Sequence, residues 1–130
     1  MVGIVLVSHN KKISEGVKEV IDQMIGGTVK VACVGGEKGE LGTNVSEIIK
    51  AVNEVLDEQG VIIFVDFGST VIGAKAALNM LNQEVKSKVF IANAPIVEGA
   101  FIAAVEASLG KSIEEVLKAA EEARNMVKVQ

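Results

Sequence analysis

With 130 residues, a net charge of −4 and apolar residues at 49% of the chain, the sequence carries enough apolar mass for one domain with a sizeable core. Its one cysteine excludes an intrachain disulfide and a zinc site built on several thiolates, and the absence of any dense Lys/Arg cluster argues against a nucleic-acid partner. No run approaches the roughly 18 apolar residues of a membrane span, and the N-terminal MVGIVLVSHN lacks a basic leader and a small-residue cleavage site, so a cytoplasmic location is expected.

Residues 2–7 form a short β-branched run, too uniformly apolar for a strand with one wet face, and read as a buried strand. Ile13, Val17, Val20, Ile21 and Met24 then recur at helical spacing, and Gly26 with Gly27 ends that helix. Residues 29–34 predict a second strand, in which Cys33 (in KVACV) is a buried structural thiol. The Gly-rich, charged stretch GGEKGELGT at 35–43 predicts a surface loop. Val45, Ile48, Ile49, Val52, Val55 and Leu56 stripe a second helix, with Thr43 as its cap and Gly60 at its end. A third strand at 61–65 leads into an Ala-rich helix from Ser69 to about Leu81, and a fourth strand follows at 88–92. Residues 96–109 are apolar on nearly all sides, which implies burial on more than one face and suggests a dimer interface. Ser112 with Glu115 matches a capping box ahead of Val116, Leu117, Ala120 and Ala123.

The order β-α-β-α-β-α-β-α-α predicts an α/β fold over residues 1–130, a single domain. Its open, mostly parallel sheet has the order 2-1-3-4, with helices on both faces. In such a sheet, ligands bind outside the carboxyl ends of the strands where the winding reverses, here between strands 1 and 3. Strand 1 delivers Ser8, His9 and Asn10 to that point, and strand 3 delivers Asp66, Phe67, Gly68, Ser69 and Thr70. The one histidine and a lone carboxylate thus meet at neighbouring strand ends.

An imidazole is largely neutral at cell pH and keeps one free lone pair, so it can act as a nucleophile. A carboxylate on Nδ1–H fixes the tautomer, points Nε2 outward and balances the charge that forms during attack. Asp66 is the candidate for that role beside His9. Gly68, Ser69 and Thr70 open a helix whose free N–H groups attract anions, although Ser69 is equally a plain helix cap. Glu98, in APIVEGA, reads better as a solvated helix-start carboxylate than as a site residue. No Gly-Lys-Ser/Thr and no G-x-G-x-x-G occurs, which removes the usual phosphate-loop and dinucleotide signatures. A zinc hydrolase needs more ligands than one His, and a serine hydrolase needs a G-x-S-x-G elbow that is absent. A two-component receiver domain would place a phospho-accepting Asp where Asp66 falls, but it also needs an acidic pair after strand 1, where this chain has Ser-His-Asn.

Five short motifs in order carry a family resemblance over essentially the whole chain: Val7-Ser8-His9, Gly16-Val17, Leu41-Gly42-Thr43, Asp66-Phe67-Gly68-Ser69 and Ala94-Pro95-Ile96-Val97-Glu98-Gly99. The sequence resembles the phosphotransfer subunit of the phosphoenolpyruvate-dependent dihydroxyacetone kinase, whose core is related to the mannose-class enzyme IIA of the sugar phosphotransferase system. The resemblance implies a phosphohistidine at His9, with Asp66 on its Nδ1. Gly68 and Ser69 would contact the phosphoryl oxygens, and Thr43 would lie nearby. It also implies a donor, the phosphorylated histidine-containing phosphocarrier protein HPr, and an acceptor, ADP bound in the kinase's nucleotide-binding subunit. It implies a homodimer; the sequence itself requires no metal, and no cofactor is expected. Some members carry phosphocarrier and enzyme I-like domains after this one; with its end at Gln130, this chain is expected to take its donor from a separate protein. Mannose-class permease domains usually show Leu-Phe-Gly-Gly-Ser after the strand 3 Asp; here Asp66-Phe67-Gly68-Ser69-Thr70 lacks the second Gly, which favours the kinase subunit. The alternatives are an enzyme IIA of a mannose-class permease and a non-catalytic binding module of the same fold.

Overall fold

Strands that are apolar on both faces need helices on both faces, and the computed structural model, which describes residues 1–36 and 45–130, has that arrangement. The elements in chain order are β1 (Gly3–Asn10), α1 (Lys11–Ile25), β2 (Val31–Gly36), α2 (Val45–Val55), β3 (Val61–Val65), α3 (Ser69–Met80), α4 (Gln83–Lys86), β4 (Val89–Ile91), α5 (Ile96–Ser108) and α6 (Ile113–Glu122), followed by a 3-10 turn at Ala123–Asn125. All strand pairs are parallel and the sheet order is β2-β1-β3-β4, as the sequence pattern predicts.

Side chains alternate across the central strands and split the core into two layers. Ile4 and Leu6 of β1, with Ile62 and Phe64 of β3, pack under α1, α5 and α6 through Val17, Ile21, Ala100, Ala104 and Val116. Val5, Val7, Ile63 and Val65 face the other way, onto Ile48 and Val52 of α2 and Ala74 and Ala77 of α3. α5 meets the sheet through small residues (Gly99, Ala100, Ala103, Ala104, Ala107) and leaves Val97 and Leu109, at its two ends, exposed. The capping box of α6 forms as expected, with Ser112 and Glu115 bonded reciprocally.

Boundaries differ where pairing, not composition, decides them. β2 starts at Val31 and runs on through Gly35 and Gly36, because those glycines pair with the end of β1. β4 is limited to three residues at the sheet edge. α2 ends at Val55, so Gly60 does not close that helix; at φ 102° it forms the turn into β3, its N–H donating to the Asp57 carbonyl. α4 has no counterpart in the sequence pattern, because four residues make barely one turn and show no stripe; Asn82 caps it by accepting from the Val85 N–H at 2.9 Å. Cys33 is half-buried rather than enclosed, and burial pushes its thiol up, which favours the protonated form. Among the described residues no helix is long and apolar enough to cross a membrane.

Candidate functional site

β1 carries His9 to the carboxyl edge of the sheet through an irregularity in its pairing. Ser8 pairs with Gly35 and Asn10 with Gly36, so His9 is the extra residue of a bulge, free of the ladder on the β2 side. Bulges re-aim side chains in this way. Buried hydroxyls hold the bulge from behind. Ser8 and Ser14 are fully buried; the Ser8 hydroxyl donates to the Asn10 carbonyl at 2.6 Å and contacts that of Ser14, which donates to the Val34 carbonyl at 3.0 Å. The strand end, the first turn of α1 and β2 are thereby tied together. Asn10 then caps α1, its side chain accepting from the Lys12 N–H at 2.9 Å.

β3 ends one residue before Asp66, which faces His9 across the gap between the two strands. His9 Nδ1 lies 2.9 Å from Asp66 Oδ1 and 3.0 Å from Oδ2. The carboxylate also accepts from the backbone N–H of His9 (2.9 Å), the backbone N–H of Phe67 (2.7 Å) and the Thr70 hydroxyl (2.7 Å). Burial opposes ionisation of Asp66, yet these donors prevail and hold its carboxyl below the ordinary carboxylate range. An ionised Asp66 can only accept, so in the neutral imidazole the proton sits on Nδ1 and Nε2 keeps its lone pair. The Ser69 hydroxyl, 3.0 Å from Nε2, fits this tautomer as a donor. One face of the imidazole is covered by the Phe67 ring, with centroids 4.2 Å apart and planes 13° from parallel.

α3 begins at Ser69, with Gly68 as its N-cap and no side-chain cap. Gly68 has φ 57° and ψ −117°, a backbone region close to Gly-only. Ser69 is therefore the first helical residue, not the cap, and its hydroxyl is turned to His9. The Ser69 hydroxyl thus brings the first residue of α3 to Nε2, and a helix N-terminus favours an anion. Of the residues expected here, His9, Asp66, Gly68 and Ser69 converge, and Thr43 lies outside the described residues. Glu98 is ion-paired with Lys128, which lowers its carboxyl pKa. Sequence reasoning did not find the roles of Thr70, Ser8, Ser14 or Phe67; it grouped the Thr70 hydroxyl with that of Ser69 as an anion donor, whereas Thr70 donates to Asp66. The first three are polar residues whose full burial is visible only in three dimensions, and Phe67 looks like an ordinary apolar residue after a strand. Among the described residues, no three His, Cys, Asp or Glu side chains converge as metal ligands.

The depressed Asp66 pKa has a consequence for stability. A carboxylate whose folded pKa lies below its unfolded value stabilises the fold fully above the unfolded pKa of about 3.9, and that contribution is lost as pH falls through the lower folded pKa. Urea midpoints compared between pH 6 and pH 3 will fall more steeply for the wild type than for Asp66→Asn; parallel curves would remove the hydrogen-bond network as a source of acid sensitivity.

The EIIA-man family, described as the PTS system fructose IIA component, matches residues 3–117. A PEP-dependent dihydroxyacetone kinase phosphoryl donor subunit DhaM from Listeria innocua is 42% identical over 119 residues, covering 91% of this chain and 95% of that protein. The phosphotransferase subunit DhaM of the PTS-dependent dihydroxyacetone kinase from Lactococcus lactis is 30% identical, over 88% of this chain and 89% of its own. The Escherichia coli DhaM is 35% identical over 90% of this chain, which spans only 26% of that longer protein. A solved structure of a protein of unknown function superposes with TM-score 0.81 at 35% identity, covering 93% of this chain and 94% of that one. A phosphotransferase system EIIA from Streptococcus agalactiae shares the fold, with TM-score 0.71 at 14% identity and coverage of 98% and 97%. With its four-stranded parallel sheet and a match over residues 3–117, the chain belongs to the EIIA-man family, alongside the DhaM phosphoryl donor subunits.

Proposed function

We propose that this chain is a phosphohistidine carrier in which His9 Nε2 takes a phosphoryl group from phosphorylated HPr and passes it to ADP held in the nucleotide-binding subunit of a dihydroxyacetone kinase. The observation that carries the reading is the clamp of Asp66 on Nδ1, which leaves Nε2 as a free lone pair beside the start of α3. The kinase as client is supported by the relatives named DhaM, at 42% and 30% identity over nearly their full lengths.

The chemistry follows from that geometry. The Nε2 lone pair forms a bond to phosphorus while the donor's P–N bond breaks, its electron pair returning to the donor imidazole. The Nδ1 proton stays in place, so the ring takes on imidazolium character that Asp66 balances. In the second step a β-phosphate oxygen of ADP attacks phosphorus, and the P–N bond electrons return to Nε2. Ser69 turns its hydroxyl from Nε2 to a phosphoryl oxygen, joined by the backbone N–H groups of Gly68 and Ser69. Thr43 is, in this reading, a further candidate contact for the phosphoryl group. In this reading the chain works in the cytoplasm and acts as a homodimer joined through the exposed ends of α5.

The client is tested with the phosphorylated chain and two acceptors, the ADP-loaded kinase subunit and a mannose-class permease. ATP formed with the kinase subunit, and no transfer to the permease, is the expected result. Transfer to the permease alone would replace this reading with that of a sugar-transport component.

A further inference from the structure

Phe67 is an exposed aromatic residue that core packing does not hold. It is 64% exposed, yet its ring lies flat against the His9 imidazole, with centroids 4.2 Å apart and an interplanar angle of 13°. Its backbone is pinned on both sides of that stack. The Phe67 N–H donates to Asp66 Oδ1 at 2.7 Å, and its carbonyl accepts from the Thr70 N–H at 3.3 Å. The turn that aims Asp66 at Nδ1 therefore also sets the Phe67 ring on the face of the imidazole.

We propose that Phe67 is a positioning residue that favours the phosphorylated state of His9, its π face stabilising a ring that becomes cationic when Nε2 bonds to phosphorus. This inference rests on the reading of His9 as the phosphoryl acceptor. In the transfer step the Nε2 lone pair forms the new P–N bond, the donor's P–N bond breaks with its electrons returning to the donor, and the Nδ1 proton remains. Against the neutral imidazole, Phe67 offers dispersion and the exclusion of water from one face. Against the imidazolium-like ring it adds attraction between the cation and the ring quadrupole, which acts within about 6 Å of the centroid. Because the added attraction exists only in the phosphorylated state, it acts on the equilibrium of transfer as well as on its rate. Asp66 balances the same charge from the ring edge, so the two residues act on different sides of the imidazole.

Leucine at position 67 separates this role from that of an apolar docking contact, because it keeps bulk and hydrophobicity and loses the π face. Wild type, Phe67→Leu and Phe67→Tyr are each equilibrated with defined ratios of phosphorylated and unphosphorylated HPr, approached from both directions. The phosphorylated fraction is read by intact mass. The expected result is a transfer equilibrium constant about two- to five-fold lower for Phe67→Leu, the range of an exposed cation–π contact, with Phe67→Tyr close to wild type. An unchanged equilibrium constant overturns the proposal. Slower transfer in both directions at an unchanged constant overturns it as well, and makes Phe67 a docking contact. A wild-type chain that stays unphosphorylated beside an active donor removes the parent reading and this inference together, whereas a phosphorylated wild type with an indifferent Leu variant removes only the inference.

Discussion

Asp66→Asn slows phosphoryl acceptance by about 10²- to 10⁴-fold, the range expected when a catalytic imidazole loses its charged partner and is held in the wrong tautomer. The atoms of the site explain why an isosteric change is so costly. Asp66 accepts at both oxygens: Oδ1 from the Phe67 N–H and the Thr70 hydroxyl, Oδ2 from the His9 N–H, and both from Nδ1. An Asn side chain has one acceptor oxygen and one NH₂ donor. With its oxygen at the Oδ1 position, the NH₂ opposes the His9 backbone N–H and donates to Nδ1. The ring proton is then driven to Nε2, where it occupies the lone pair needed for attack. With the amide flipped, the NH₂ opposes the Phe67 N–H and the turn loosens. Either arrangement also leaves a backbone donor unpaired, which costs about 1–3 kcal/mol of stability. Stopped-flow or quenched transfer from phosphorylated HPr gives the rate, and ¹⁵N shifts of the His9 ring give the tautomer. Equal rates for the two proteins would take Asp66 out of the mechanism.

Gly35→Ala is expected to damage the site from the neighbouring strand. A Cβ at Gly35 would sit 2.6 Å from the Lys11 Cα and 2.7 Å from its backbone nitrogen. Neither atom belongs to a flexible side chain, so the turn joining β1 to α1 must move. Overpacking of this kind costs about 1–3 kcal/mol. The displaced segment includes the His9 bulge, and a shift on the order of 1 Å at a reacting atom is enough for about a 10²-fold loss of rate. Gly16→Ala is the matched control, because a Cβ there meets nothing within 4 Å. Thermal melts and transfer rates of the two variants check the argument; a Gly35→Ala protein with wild-type transfer would show that the close approach of β2 does not set the position of Nε2.

These two expectations also mark where the sequence was legible. Uniformly apolar strands alternating with striped helices allow few arrangements besides a parallel sheet with covered faces. Order 2-1-3-4 then brings the ends of strands 1 and 3 together. His9 and Asp66 could therefore be paired from composition and order alone. The features that sharpen the site depend on register. The bulge at His9 exists because Gly35 and Gly36 pair with Ser8 and Asn10, and no local pattern in GGEKGELGT announces that pairing. Ser69 reads as a helix cap, since a Ser at a helix start usually serves the backbone; it became available to Nε2 because Gly68 took the cap position at positive φ. Thr70 and Ser14 are fully buried beside ordinary helix residues, and their roles come from what lies across the fold. The stack of Phe67 on His9 needs a turn conformation that the order Asp-Phe-Gly-Ser does not by itself dictate.

The most direct test of the central claim is incubation of the wild type and His9→Ala with phosphoenolpyruvate, enzyme I and HPr, followed by intact mass and site mapping. The account predicts a gain of one phosphoryl group on the wild type, located at His9, acid-labile and stable to base, and no gain on His9→Ala. Absence of any gain on the wild type beside a control acceptor that is phosphorylated, or a phosphoryl group on His9→Ala, would contradict it.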